Sequence, residues 1–239
     1  TEKLYEILDL IAYYFPECEG INMDATVTSI LHKSQEELEM LARKKVKHLY
    51  LGIESGLDDV LKFMKKDHDL AQAYQAIDRL HEAGLIYDAH IMTGVAGKGR
   101  GMENAEALAQ FLNRTNPAHV VNFSMFLHKE VPLYQDIRQG TFVPADELET
   151  IREEYHLIER IAPEKAGANI LYDGFHDFIH VRVRGHLPGD KEKMLAKLNG
   201  IIQEYEGKEP VYSFVQGECP DLEYCDDGKA VWDMDRKTS

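Results

Sequence analysis

The sequence predicts an α/β protein built on a mostly parallel, incomplete sheet, and three observations carry that expectation. Strand and helix signals alternate along the first half of the chain, the rhythm of a parallel sheet covered by crossover helices. Two capping boxes, Ser34 with Glu37 and Asp69 with Gln72, mark helix starts by reciprocal side-chain and backbone pairing. The apolar run Leu49–Ile53 stops abruptly at Glu54-Ser55-Gly56. In parallel α/β folds, the loops leaving the carboxyl ends of the strands hold the working groups.

An amphipathic helix opens the chain and runs to about Tyr14, closed by Pro16 and Gly20. A strand is expected from Ile21 to Val27, a helix from Ser34 to Lys44, a strand from His48 to Ile53 and a short helix from Leu57 to Lys66. The Asp69 box starts a helix reaching Ala83, and Gly84 stands where a left-handed cap is wanted. The strand Ile86–Thr93 enters a loop with four glycines, Gly94 to Gly101, before a helix to about Arg114. Its glycines make neither GxxxxGK[ST] nor GxGxxG, so no nucleotide fingerprint is present. A strand from His119 to Leu127 completes the first half.

After Pro132 the pattern changes. Pro144 is expected as the first residue of a long helix, Ala145–Ile161. One strand is expected across Ile170–Arg184, and a helix runs from Asp190 to about Tyr205. The expected organisation is a sheet portion over 1–140, a helix and strand extension over 141–206, and an acidic, poorly ordered tail over 207–239.

Forty-two acids against twenty-seven bases give a net charge of −15. Such a chain repels phosphate backbones and anionic bilayers, so neither nucleic acid nor a membrane is expected as a partner. No apolar run approaches bilayer length, and a cytoplasmic location is expected. Cys18, Cys219 and Cys225 are too few and scattered for a disulfide framework or a cysteine-held cluster, and the last two are read as free thiols. On one strand His176 and His180 would share a face but lie too far apart for one metal ion. A polar sheet face is the expectation, and no metal site is assigned. His128-Lys129-Glu130 is read equally as a solvated turn or a substrate contact.

With these elements placed, the chain resembles the radical S-adenosylmethionine superfamily, in the C-terminal part of its (β/α)6 partial TIM barrel. The resemblance spans about residues 1–160. It is carried by Ile21-Asn22-Met23-Asp24-Ala25-Thr26, by Leu49–Gly56 with Val60–Lys66 behind it, by Ile91–Gly94 and by Val121–Phe126. Val183–Lys191 is similar to the tail of one Fe–S oxidoreductase branch of that superfamily. The resemblance implies S-adenosylmethionine as cofactor, cleaved reductively to a 5′-deoxyadenosyl radical that takes hydrogen from an unknown substrate. It implies Glu54 as acceptor for the ribose or the methionyl amine, with Ser55 beside it, and Lys66 as cation for the methionyl carboxylate. Asp24 matches a strand-end acid, His90 a polar group near the ribose, and Met92, Gly94, Asn122 and Ser124 would flank adenine or substrate. The CxxxCxxC loop that holds the family's [4Fe–4S] cluster is not among these residues. The cluster ligands are therefore expected before Thr1, with about four of six barrel strands here and no activity from this piece alone.

Each residue also has a structural alternative. Glu54 would cap the helix near Leu57, Lys66 would be a solvated helix end, Asp24 a loop acid and His90 a hydrogen-bonded core histidine. Two other functions remain open. One is a metal-assisted barrel lyase or hydrolase using Asp24, Glu54 and His90 in a closed barrel. The other is a non-catalytic domain that binds a partner through Gly97–Gly101 or the acidic tail. Unclosed sheet edges predict a homodimer or an edge covered by the C-terminal segment.

Overall fold

A computed structural model describes residues 2–214 and the short strands Glu223–Tyr224 and Ala230–Val231. The main sheet has six strands in sequential order: β1 (Ile21–Ala25), β2 (Val46–Glu54), β3 (Ile86–Thr93), β4 (His119–Ser124), β5 (Ile170–His176) and β6 (Val181–Leu187). The first five run parallel and β6 returns antiparallel to β5. The order does not close on itself, so β1 and β6 are edges. This is the mostly parallel, unclosed α/β architecture expected.

The helices among the described residues are α1 (Glu2–Tyr14), α2 (Val27–Leu31), α3 (Gln35–Arg43), α4 (Asp58–Phe63), α5 (Leu70–Glu82), α6 (Gly101–Thr115), α7 (Leu133–Gln139), α8 (Glu147–Arg160) and α9 (Lys191–Tyr205). Both expected capping boxes form: Ser34 and Asp69 each accept from the backbone N–H three residues on and receive the reciprocal bond. Gly84 takes φ +75°, the left-handed turn that ends α5.

Alternation along the strands divides the sheet into two faces. Leu49, Leu51 and Ile53 of β2, Tyr87, Ala89 and Ile91 of β3, and Val120 of β4 are buried under the helices in one continuous core. The other face carries Tyr50 and Gly52 of β2, Asp88 and His90 of β3, and His119 and Phe123 of β4. It is open at its carboxyl end, where Phe123 is 36% exposed. Bulky branched side chains normally fill a barrel interior; here polar and aromatic groups take their place.

Several local expectations need correction. Residues 27–31 form α2 rather than the end of a strand, because Thr26 and Ser29 make a capping box of their own. Leu133–Gln139 is helical, and α8 starts behind Asp146 rather than Pro144, since Asp146 accepts from the Glu149 N–H. The single strand expected over Ile170–Arg184 is two strands joined by a 3-10 turn at Asp177–Ile179, with His180 at φ +53°. His176 and His180 therefore do not share a strand face. β5 and β6 also continue the main sheet, so residues from the expected extension pack with the first 140. Cys219, Cys225 and most of the acidic tail expected to be poorly ordered lie outside the described residues. No described helix is long and apolar enough to cross a membrane.

Candidate functional site at the carboxyl rim of the sheet

The rim is built where β2 ends. Glu54 leaves the strand at φ +63°, and the β2–β3 register shifts between Gly52 and Glu54. A non-glycine residue there costs about 1–2 kcal/mol of backbone strain. Next, Ser55 is fully buried; its Oγ donates to Asn104 Oδ1 at 2.6 Å and accepts from the Leu57 N–H at 3.2 Å. Gly56 is pressed on α6 so closely that a Cβ would meet the Ala107 backbone at 2.5 Å. Ser55 and Gly56 thus fix the turn, and Ser55 contributes no free hydroxyl to the rim.

Lys66 reaches the same place by a different route. Helix α4 ends in a left-handed Lys65, φ +56°, and the Lys66 N–H donates back to the Leu61 carbonyl at 2.9 Å. This Schellman-type turn sends Lys66 back to the strand end, where Nζ pairs with Glu54 Oε1 at 3.2 Å. Their side chains are 28% and 23% exposed. A Cβ on Gly52 would lie 2.7 Å from Glu54 Oε1 and 3.2 Å from Lys66 Nζ, so the glycine makes the room for the pair. Helix α4 has Leu57 at its N-cap and no side-chain cap. Glu54 is therefore not a helix cap, and Lys66 is not a solvated helix end.

Behind this pair lies His90, directly across from Gly52 in the β2–β3 ladder. Its ring sits 5.1 Å from Tyr50 and 5.9 Å from Phe123, centroid to centroid. Phe123 stacks on Phe175 at 5.7 Å, and the Arg182 guanidinium lies 4.7 Å over Phe175 while gripping Asp173 with two hydrogen bonds. Met92 packs against the small apolar cluster of Val60, Val95 and Met125. Gly94, φ +82°, donates its N–H to Glu153 Oε2 at 2.8 Å, and a Cβ there would meet Thr150 Cγ2 at 2.8 Å. Asp24 is exposed and aligned with Tyr50 on the β1 edge.

Asn122 and Ser124 point the other way. Asn122 accepts from the Thr93 N–H and donates to Glu154 Oε1, both at 3.1 Å, while Ser124 donates to Glu147 at 3.2 Å. Both belong to a buried polar cluster under α8 that holds Glu147, Glu153, Glu154 and His176. His176 is enclosed by Glu147 at 2.9 Å and Glu154 at 3.1 Å. Burial opposes its charge, but these two carboxylates outweigh it and raise its pKa to about 10. Burial pushes the Glu153 carboxyl up to about 7 against hydrogen bonds from Asn104 and Gly94. Sequence reasoning missed this cluster. Its signal was three acids on the α8 stripe that also carries Ile151, Leu157 and Ile158.

The residues present do not fit an iron–sulfur cluster. Cys18, the described cysteine, precedes β1 at the amino ends of the strands, and its Sγ donates to the Gly20 carbonyl. The rim does fit the amino acid end of S-adenosylmethionine: a carboxylate and an ammonium stand side by side, in the cradle that Gly52 leaves open. Among the described residues, no group of three His, Cys, Asp or Glu side chains could hold a metal ion. The closed, metal-holding barrel of the alternative enzyme reading is not what is observed. His128 and Glu130 form a local turn, the Glu130 N–H donating to His128 Nδ1.

Comparisons with known proteins agree with this class. The family model described as the radical SAM superfamily matches residues 2–112, bearing out the sequence resemblance over that span. The match includes Asp24, Glu54, Lys66, His90, Met92 and Gly94 and stops before Asn122. The chain is 25% identical over 119 residues to the curated tRNA uridine(34) acetyltransferase of Methanocaldococcus infernus, covering 49% of this chain and 22% of that protein. It thus spans about a fifth of that relative. Among solved structures, it resembles the archaeal Methanocaldococcus infernus Elp3 lacking residues 1–46, with TM-score 0.58, 17% identity, and coverage of 78% of this chain and 42% of that one. At that identity the likeness is one of fold. Methylornithine synthase (PylB) gives TM-score 0.49 at 15% identity, covering 84% of this chain and 63% of its own.

Proposed function

We propose that this chain forms part of a radical S-adenosylmethionine enzyme and holds the cofactor's methionyl and ribose groups at the carboxyl rim. The observation that carries the reading is the Glu54–Lys66 pair, made by two left-handed backbone turns and housed by Gly52. A strained carboxylate beside an ammonium suits a zwitterionic amino acid group, whose amine takes Glu54 and whose carboxylate takes Lys66. His90, flanked by Tyr50 and Phe123, provides a polar and aromatic wall for the ribose side.

When bound beside a reduced cluster, the cofactor supplies a radical able to take hydrogen from a substrate; the chain's own part is binding, orientation and shielding. No cysteine set for that cluster exists in these 239 residues, so this chain alone is expected not to cleave the cofactor. The curated relative's name, an acetyltransferase acting on tRNA uridine, is not carried over. The match covers 22% of that protein, and a net charge of −15 disfavours a polyanion. A small-molecule substrate is proposed instead.

Calorimetric titration of S-adenosylmethionine into the chain tests the reading. Binding should weaken at least about tenfold in Glu54→Gln and in Lys66→Ala, the loss expected for one charge-assisted contact of roughly 1.5–3 kcal/mol. Equal affinity in wild type and both variants, or no binding by the wild type, would overturn the site.

A further inference from the structure

One layer below the rim, the open face holds two polar atoms that nothing in the fold satisfies. Asp88 is fully buried. Its Oδ2 takes His48 Nδ1 at 2.6 Å and the His119 backbone N–H approaches the carboxylate, but Oδ1 makes no well-formed hydrogen bond. On the next strand His119 Nδ1 meets the Tyr50 hydroxyl at 3.0 Å, and its Nε2 likewise has no partner. Asp88 and His119 each stand one residue before the Ala89–Val120 ladder pair, so they are neighbours across β3 and β4. Tyr50 faces Asp88 from β2. Buried polar atoms are nearly always hydrogen-bonded, and two adjacent exceptions on a ligand-facing surface mark a place where something else completes them.

The chemistry of that something follows from the protonation states. Burial raises the Tyr50 phenol and lowers His119, which is neutral; burial also raises the Asp88 carboxyl, and the His48 hydrogen bond draws it back toward the ionised form. In the tautomer the subsite requires, the phenol donates to Nδ1 and the imidazole proton sits on Nε2. The unfilled pair is a donor, Nε2–H, beside an acceptor, Asp88 Oδ1. A carboxylate would satisfy the first and be repelled by the second. An ammonium would do the reverse. A hydroxyl accepts from one and donates to the other.

We infer that Tyr50, Asp88 and His119 form a substrate subsite for a hydroxyl-bearing small molecule, its oxygen bridging Asp88 Oδ1 and His119 Nε2. The inference rests on the proposed function in placing the substrate on the open face, below the cofactor. The Phe123–Phe175 shelf beside it gives the carbon skeleton a surface. His48, 25% exposed, holds the Asp88 carboxylate in place from the amino side.

The test follows the ring resonances of His119 and His48 by NMR while ribose or glycerol is added, with tetrahydrofuran as the ring-sized control lacking a hydroxyl. The expected result is a saturable shift of both rings with the hydroxylated probes, absent with tetrahydrofuran and abolished in Asp88→Asn and in His119→Phe. Histidine shifts elsewhere in those variants report whether they remain folded. The Tyr50→Phe variant, which keeps the ring, provides a second reading: loss of the phenol frees the tautomer, so the response should weaken without being lost. Equal response to tetrahydrofuran, or no saturable response to either hydroxylated probe, means the pair holds only ordered water and overturns the subsite. Glu54→Gln should leave the hydroxyl response intact, which separates failure of this subsite from failure of the rim.

Discussion

At the residue scale, function on the rim depends on positions whose backbone or size is unusual. Gly52 is the clearest. In Gly52→Ala the new methyl would crowd the ends of two flexible side chains rather than backbone, so the protein should keep its melting temperature within a few degrees while the Glu54–Lys66 pair separates. Calorimetry on that variant should show S-adenosylmethionine affinity reduced by about tenfold, roughly 1.4 kcal/mol. Gly174 is the contrasting case: a Cβ there would overlap Glu154 Oε1, which serves Asn122 and Tyr172 beside the Oε2 that pairs with His176. Gly174→Ala should therefore lower stability by roughly 2–4 kcal/mol in denaturant melts, the range for disrupting a buried polar network. That Glu54 and Lys66 meet at one strand end was legible from the sequence, because a strand end, an acid and a lysine occur in order. Asn122 and Ser124 were misplaced in effect, since alternation puts them on the helix-covered face and strand position alone does not reveal which parity faces the ligand.

At the element scale, α8 is tied to the sheet by ionised groups. His176 holds its proton to about pH 10 in the folded state, against about 6.5 for an unperturbed histidine. Between these values the folded state binds one more proton than the unfolded chain, so unfolding free energy falls as pH rises through that window. Below about pH 6.5 the contribution is complete. His176→Gln should flatten this slope in chemical melts at pH 6.5 and 10, and at pH 7 should cost roughly 3–5 kcal/mol, because two buried carboxylates lose their cation. A slope unchanged in the variant would remove His176 from this role. Glu153 adds a slope of the same sign at lower pH: with its pKa raised to about 7 by burial, the folded state again binds the extra proton, and stability falls as pH rises between about 4.5 and 7. Helix α4 offers a milder case. Replacing the left-handed Lys65 by glycine should leave stability equal or up to about 1 kcal/mol higher, with the Lys66 contact intact, whereas Lys65→Val should destabilise.

Most elements were readable because capping chemistry is local: Ser34, Asp69 and Gly84 announce their helices without tertiary help. The hairpin of β5 and β6 was not, because its turn uses Asp177-Phe178-Ile179-His180 with a left-handed histidine in place of the glycine or asparagine that usually marks one. The orphaned pair on the open face was equally hidden. Asp88 and His119 are thirty-one residues apart in the chain, and only the strand register sets them side by side.

At the scale of the whole molecule, the sheet presents two edges. Helix α1, held at α3 by Tyr5 on the Glu37 carbonyl and by Asp9 with Lys44, exposes Ile7, Leu10, Tyr13 and Tyr14, each more than half exposed. An exposed apolar helix face favours association. We expect sedimentation velocity to show concentration-dependent dimers, and Ile7→Glu with Leu10→Glu to shift them to monomer; dimers unaffected by both changes would place the interface elsewhere. The molecule thus reads as an open sheet with one polar face and a carboxyl rim on one side, and a helix-covered face with a buried ionic cluster on the other.

The most direct measurement is a crystal structure of the chain grown with S-adenosylmethionine. The account predicts density at the carboxyl rim, with the methionyl amine on Glu54 and the methionyl carboxylate on Lys66. Density for the cofactor elsewhere, or a Glu54–Lys66 pair unchanged in crystals that contain it, would contradict the account.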